Sequence, residues 1–208
     1  MRSLFAIAVF LASLALANKT VINGTAAKVG NTVITIQDAL IYRALQRFKD
    51  GEKYSIAFEA GEELKKTVQK VVFEEMAYLE MKELGFNEVP RATVEKTVRT
   101  RKHANPADWK TILKRFGLTE SAAIERVHRT VQVEKFLQRK VDTLTPVVTD
   151  AEIERYYKQN EARFKGSTVE QLKPSISLLL KKQYAQKGLE DWIKFLKEKY
   201  HVTSQLHG

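Results

Sequence analysis

Cysteine is absent from the 208 residues. That excludes disulfides, thiolate metal sites and cysteine nucleophiles together. Small exported domains commonly need disulfides to compensate for a thin core. This chain must rely on packing instead, which its 44% apolar content permits. Histidine is scarce. His103, His128, His201 and His207 are scattered along the chain, and none has a ligand partner at metal-site spacing. There is no Gly-x-Gly-x-x-Gly, no P-loop, no Gly-x-Ser-x-Gly and no His-Glu-x-x-His. No cofactor or metal is therefore expected. The acidic pairs Glu62-Glu63 and Glu74-Glu75 read as solvated faces, because adjacent helical residues diverge by about 100° and do not converge as an acid/base pair.

Long apolar runs are also missing, with one exception. Leu4-Phe-Ala-Ile-Ala-Val-Phe-Leu-Ala-Ser-Leu-Ala-Leu16 follows Arg2 and ends at Ala15-Leu-Ala17, the basic, apolar and small-x-small order of an export signal. The run is shorter than the about 20 residues that span a bilayer. Cleavage is expected after Ala17, and an uncleaved N-terminal anchor is the alternative. Without Cys at the lipobox position, lipoprotein processing is not expected. The remaining length suits one domain, or one domain with an extension. Asn18-Lys-Thr20 and Asn23-Gly-Thr25 match the glycosylation acceptor pattern, which matters only in a eukaryotic secretory route.

The formal net charge is +10, unevenly spread. Residues 18–81 balance at nine basic and nine acidic side chains, whereas 82–140 hold fourteen Lys/Arg against seven Asp/Glu and 165–208 hold eight against four. A basic face attracts acidic polypeptides, lipid headgroups or nucleic acid, or simply keeps a protein soluble. The export signal argues against nucleic acid and leaves transient contact with a membrane surface open.

Periodicity predicts a mainly α fold. A hairpin comes first: Ala27-Lys-Val-Gly and Thr32-Val-Ile-Thr-Ile flank the turn pair Gly30-Asn31. Thr35 and Asp38 form a capping box for a helix ending near Asp50-Gly51. A long helix follows from about 61 to 84, with Gly85 beyond its end. Its second half is apolar on more than one face, so it is either sandwiched or turned to a partner. Helices are predicted from Pro90 to about Lys102, from Pro106 to Phe116, and after the cap Thr119 with Ile124, Val127, Val131 and Val141 on one face. Thr149 and Glu152 form a second capping box. The last helix is predicted from near Pro174, stacking Ile176, Leu179 and Leu180, then Leu189, Ile193, Leu196 and Tyr200. Gly188 weakens it by about 1 kcal/mol relative to Ala. His201-Val-Thr-Ser suits a short closing strand, with Val202 against the hairpin.

Several of these segments resemble the chaperone part of the periplasmic parvulin-type foldases SurA, PrsA and PpiD. Val29-Gly-Asn-Thr-Val-Ile-Thr-Ile-Gln-Asp38 is similar to the family's opening strand, turn and helix start. The helix after Thr119 is similar to the one that leads toward the foldase linker. Val148-Thr-Asp-Ala-Glu-Ile-Glu-Arg-Tyr-Tyr157, Asn160-Glu-Ala-Arg-Phe164 and the Leu-x-x-Trp-Ile-x-x-Leu pattern at 189–196 complete the set. Between Phe164 and the stretch that opens at Lys173-Pro-Ser-Ile-Ser-Leu-Leu-Leu180 and ends in that pattern, only residues 165–172 stand where the family carries its isomerase domain. The resemblance implies a signal peptide at 1–17 and one chaperone domain at 18–208. Its two parts, 18–164 and 173–208, meet through that short connection. The implied architecture is an irregular helical bundle with a small N-terminal β-hairpin, closed by a long C-terminal helix. The chain departs from the family in having no segment with foldase features.

The resemblance further implies a periplasmic holdase that binds unfolded or nascent exported polypeptides, outer-membrane proteins among them. It would work without nucleotide or isomerase activity, and an adaptor with one dedicated partner is the alternative. Candidate client-contact residues are Phe73, Met76, Met81, Trp109, Phe116, Tyr156 and Tyr157. Each has a core reading beside it: Trp is usually buried, and Met fills irregular cores as readily as promiscuous surfaces. Of Tyr156 and Tyr157, about 100° apart on a helix, one is expected inside and one outside.

Overall fold

The structure, a computed structural model, describes residues 24–55, 61–164 and 166–205. The export signal with its cleavage site, the acceptor Asn18 and Asn23, and Lys165 of the short connection lie outside the described residues. The fold is mainly α: the described residues form seven α-helices and a small antiparallel sheet. Strands β1 (Thr25–Val29) and β2 (Thr32–Thr35) form the hairpin, turning at Gly30, whose φ of 56° suits glycine. Strand β3 (Thr203–Ser204) pairs with the other side of β1, Ala27 opposite Ser204 and Lys28 opposite Thr203. The closing strand thus begins one residue after Val202. Val202 instead donates its N–H to the Lys197 carbonyl and closes the end of the last helix.

Local signals place most helix ends. Helix α1 (Ile36–Asp50) starts on the Thr35–Asp38 capping box and stops at left-handed Gly51. Helix α2 (Gly61–Glu83) is followed by α3 (Arg91–Ala104), with Pro90 just outside it at the cap. Helix α4 (Pro106–Phe116) is capped by Asn105 and ended by Gly117. Helix α5 (Glu120–Leu144) is capped by Thr119, and α6 (Asp150–Gln159) by the Thr149–Glu152 box. Helix α7 (Val169–Lys199) differs from expectation: it begins five residues before Pro174. Thr168 and Gln171 form a third capping box there, so the start is set by satisfied N–H groups. Pro174 is tolerated in the second turn at the cost of one intrahelical bond. The connection after the 3-10 turn Glu161–Arg163 is correspondingly shorter than 165–172.

Two large clusters, and a small one of Ala26, Ala39 and Val68 between the sheet, α1 and α2, make the body. One gathers α1, α3, α4 and the first half of α5 around Leu45, Phe48, Trp109, Ile112 and Val127. The other gathers the sheet, the second halves of α2 and α5, and the C-terminal half of α7 around Met76, Met81, Phe136, Trp192 and Leu196. The sandwiched reading of α2 holds, because β1, α1, α5 and α7 all pack on it. On α5 the buried line is Ala123, Val127, Thr130, Val133 and Phe136, and Ile124, Val131 and Val141 are only half-buried. Of the expected line only Val127 is buried, because α5 is covered from different sides along its length.

Helix α7 also changes partner along its length. Trp192, Leu196 and Tyr200 enter the body, and Trp192 meets Phe73 and Phe136 edge-on, at ring distances of 6.2 and 6.1 Å. In the N-terminal half, Ile176 and Leu180 pack with Ile153 and Val148 of the α6 region in a separate cluster. Leu179, expected beside them, is exposed, and Tyr184 takes the next turn instead. Helix α6 and the first half of α7 thus form a helical arm. The Glu152 carboxylate accepts the Thr149 N–H at 2.8 Å and the Tyr184 hydroxyl at 2.7 Å, joining the cap of α6 to α7. Those bonds, the Thr149 backbone first, hold its pKa down to about 2.

Gly188 lies where the arm leaves the body. A Cβ there would come within 3.2 Å of the Leu144 carbonyl oxygen and of its Cβ. The glycine thus permits close crossing of α5 and α7, which offsets its poor helix propensity. Gly188→Leu is expected to destabilise the protein by about 1–3 kcal/mol through overpacking, read from the urea midpoint. Unchanged stability would show that the crossing is looser than described.

Candidate functional site

The seven candidate residues do not form one site. Met76 and Met81 are buried at 1% and 4% exposure and Trp109 at 2%, so these three are core residues and offer a client no surface. Trp109 lies on Phe48 at a ring distance of 4.8 Å. Phe116 is half-buried at the end of α4. Tyr156 and Tyr157 are both half-buried, against the expectation of one in and one out. Phe164 sits between them, stacked on Tyr157 at 5.4 Å, and the Tyr157 hydroxyl donates to the Ser167 carbonyl at 2.8 Å. Phe73 and Met76 line one recess together. It is an apolar groove of about 550 Å³ between α2 and α7, completed by Val68, Val72, Ile193 and Val202.

The arm supplies a surface that the residue-by-residue reading missed. Leu178 is 56% and Val147 85% exposed. Leu178 precedes Leu196 by about five full helical turns, so both point to the same side of α7. Leu196 uses that side to enter the body. Ile176 and Leu180, on the opposite side, are covered by α6. The arm therefore holds an uncovered leucine on the side of α7 that faces the body farther along. The signal was present in Ile176-Ser-Leu-Leu-Leu180, which has more apolar residues than one helix face can hide.

A second recess is polar. It measures about 450 Å³ and lies between β2, α1, α2 and α5. Glu74 and Glu75 line it with side-chain exposures of 13% and 7%, so they are not a solvated face. Both meet Arg129 of α5: its Nε is 3.9 Å from Glu74, and its terminal nitrogen contacts Glu75. Arg129 also stacks 4.0 Å over the Tyr78 ring, and the Thr130 hydroxyl donates to Glu74 at 3.0 Å. The two carboxylates diverge at the backbone, as adjacent helical residues must. A long guanidinium from another helix joins them, and no pattern within α2 could reveal that. Burial pushes the Glu74 carboxyl up to about 7, against the opposing pull of Arg129 and Thr130. Burial, then the charges of Glu74 and Glu134, raises the Tyr42 hydroxyl as well. The chemistry available here is proton uptake near neutrality. Among the described residues, no three His, Cys, Asp or Glu side chains group to hold a metal ion, and no helix is long and apolar enough to cross a membrane.

Comparison of the chain with protein-family models, with curated proteins and with solved structures finds no match.

The folded protein keeps a proton on Glu74 that the unfolded chain releases near the ordinary value of 4.5. Stability from this group is therefore full below about pH 4.5 and declines as pH rises to about 7, by about 3 kcal/mol. Glu74→Gln is expected to remove this decline, so that its advantage over the wild type grows from pH 5 to pH 8 in urea unfolding. A constant difference across that range would show that Glu74 is ionised throughout.

Proposed function

We propose that this protein is an exported holdase-type chaperone. It covers apolar segments of unfolded or nascent polypeptides without nucleotide and without isomerase chemistry. The observation that carries this reading is the uncovered Leu178 and Leu179 on an arm that stands out from a packed body, with Val147 open in the connection that leads to it. A chaperone of this kind needs apolar surface that its own fold leaves open. The Phe73–Ile193 groove adds a second, smaller apolar contact. Apolar contact is non-directional, so the surface would accept many sequences and release them as they bury their own apolar groups. Residues 1–17, read as an export signal, would bring the protein to such clients in the periplasm, and a segment order similar to that of SurA-type proteins supports the same reading.

The test is suppression of aggregation of several unfolded clients at stoichiometric amounts of protein. Wild type is expected to suppress it. The double variant Leu178→Lys, Leu179→Lys, altered only at exposed positions, is expected to lose at least half of that effect with unchanged unfolding behaviour. No suppression with any client would end the chaperone reading. Co-purification of one stoichiometric partner together with no suppression would favour a dedicated adaptor.

A further inference from the structure

The α3–α4 hairpin carries the densest positive charge of the fold. Residues 91–116 hold eight Lys/Arg against two Asp/Glu. Some of these cations are engaged. Arg91 pairs with Glu95 at 2.9 Å, Lys102 pairs with Glu120 at 2.9 Å, and Arg101 donates to the Lys49 carbonyl. Lys96 and Arg99 on α3 and Lys110 and Lys114 on α4 are exposed, and none pairs with a carboxylate among the described residues. Lys96, Arg99 and His103 fall at i, i+3 and i+7, a single stripe, and Lys110 and Lys114 at i and i+4. Val94 and Val98 of α3 and Trp109 and Ile112 of α4 enter one shared cluster. The cationic stripes lie on the faces turned away from it.

Between α3 and the starts of α4 and α5 is a recess of about 520 Å³, lined by Arg99, Lys102 and His103 over Val98 and Ile124. The two carboxylates at its rim, Glu95 and Glu120, are held by Arg91 and Lys102. That leaves the Arg99 guanidinium without a carboxylate partner among the described residues, beside a space that admits a phosphate group.

We propose that the outward face of α3–α4 docks on an anionic lipid bilayer, with headgroup phosphates meeting Arg99 and its neighbours. Its position favours lipid over an acidic polypeptide client. Ala123 and Val127, near the start of α5, pack with the α3–α4 hairpin, whereas Phe136 and Leu144, toward its other end, meet α7. Helix α5 has 25 residues and is therefore about 37 Å long. The basic face and the open leucines of the arm sit toward opposite ends of it. A bilayer contact on one end leaves the arm pointing away from the lipid. Nucleic acid is disfavoured because the hairpin has no exposed aromatic ring on which bases would stack: Trp109 is buried and Phe116 half-buried. No large apolar side chain of the hairpin is exposed either, so binding would be electrostatic and sensitive to salt. The choice of lipid over client rests on the chaperone reading, but the vesicle assay uses no client, so failure of one is distinguishable from failure of the other.

The full chain is titrated with sedimenting vesicles of phosphatidylcholine alone and of an equimolar mixture with phosphatidylglycerol. The apolar run at 4–16 would bind both alike, so the preference for the anionic vesicle is the readout. Wild type is expected to prefer it at least about tenfold at low salt, with the preference lost near 0.5 M NaCl. The variant Lys96→Glu, Arg99→Glu, Lys110→Glu, Lys114→Glu is expected to lose the preference. The variant Lys181→Glu, Lys182→Glu, Lys194→Glu, Lys197→Glu, with the same charge change on α7, is expected to keep it. Circular dichroism checks that both variants fold. No lipid preference in the wild type, or equal losses in the two variants, overturns the proposal. So does tighter binding to polyglutamate or to single-stranded DNA than to the anionic vesicles at equal salt.

Discussion

The docking of the C-terminal half of α7 into the body is the contact on which the rest depends. Trp192 inserts between Phe73 and Phe136, and Leu196 is fully buried beside Met76 and the sheet. Polar bonds then latch the end of the helix. Lys199 reaches Glu80 and Glu83, each at 2.6 Å, the Tyr200 hydroxyl meets the same two carboxylates, and the Tyr200 carbonyl accepts the Gly30 N–H. From there the chain runs into β3 and completes the sheet on the free side of β1. A residue distant in sequence from the hairpin thus closes it. Losing a buried aromatic such as Trp192 would remove about 3–5 kcal/mol, a large share of a domain's net stability.

The same helix then has to leave the body. It does so at Gly188, where α5 passes too close for a side chain. Beyond that point α7 buries the opposite side against α6 and leaves Leu178 uncovered. One continuous helix therefore serves as core on one side and as open apolar surface on the same side farther out. The open surface follows from the closed one, because a rigid helix keeps its faces in register over its whole length. Tension between burial and charge recurs at Glu74 and Glu75, which lie inside the molecule. Arg129 holds them there, and burial of Glu74 outweighs its attraction to that cation.

Much of the fold was legible residue by residue. The boxes Thr35–Asp38 and Thr149–Glu152, the Gly117 stop of α4, and the Gly30-Asn31 turn all appear where their local chemistry places them. The start of α7 carries a signal of the same kind, Thr168-x-x-Gln171, but Pro174, a residue suited to a first helical turn, lies just downstream and suggests a later start. The candidate site was less legible. Hydrophobic type alone does not say whether Met76 or Trp109 is covered, and both are. Nor did the order of side chains on α2 show that an arginine more than fifty residues away would gather two adjacent carboxylates.

The amino-acid sequence by itself determined the elements, their ends and the uneven charge. Capping, turn geometry and helical period act between residues a few positions apart, and charge is a property of composition. The tertiary structure alone decided which face of each helix is closed. It buried Glu74 and Glu75, moved the buried line of α5 to Ala123, Val127 and Thr130, and left Leu178 in the open. Coverage depends on which distant segment arrives and from which side. A helix carries no record of that in its own periodicity once more than one of its faces is apolar.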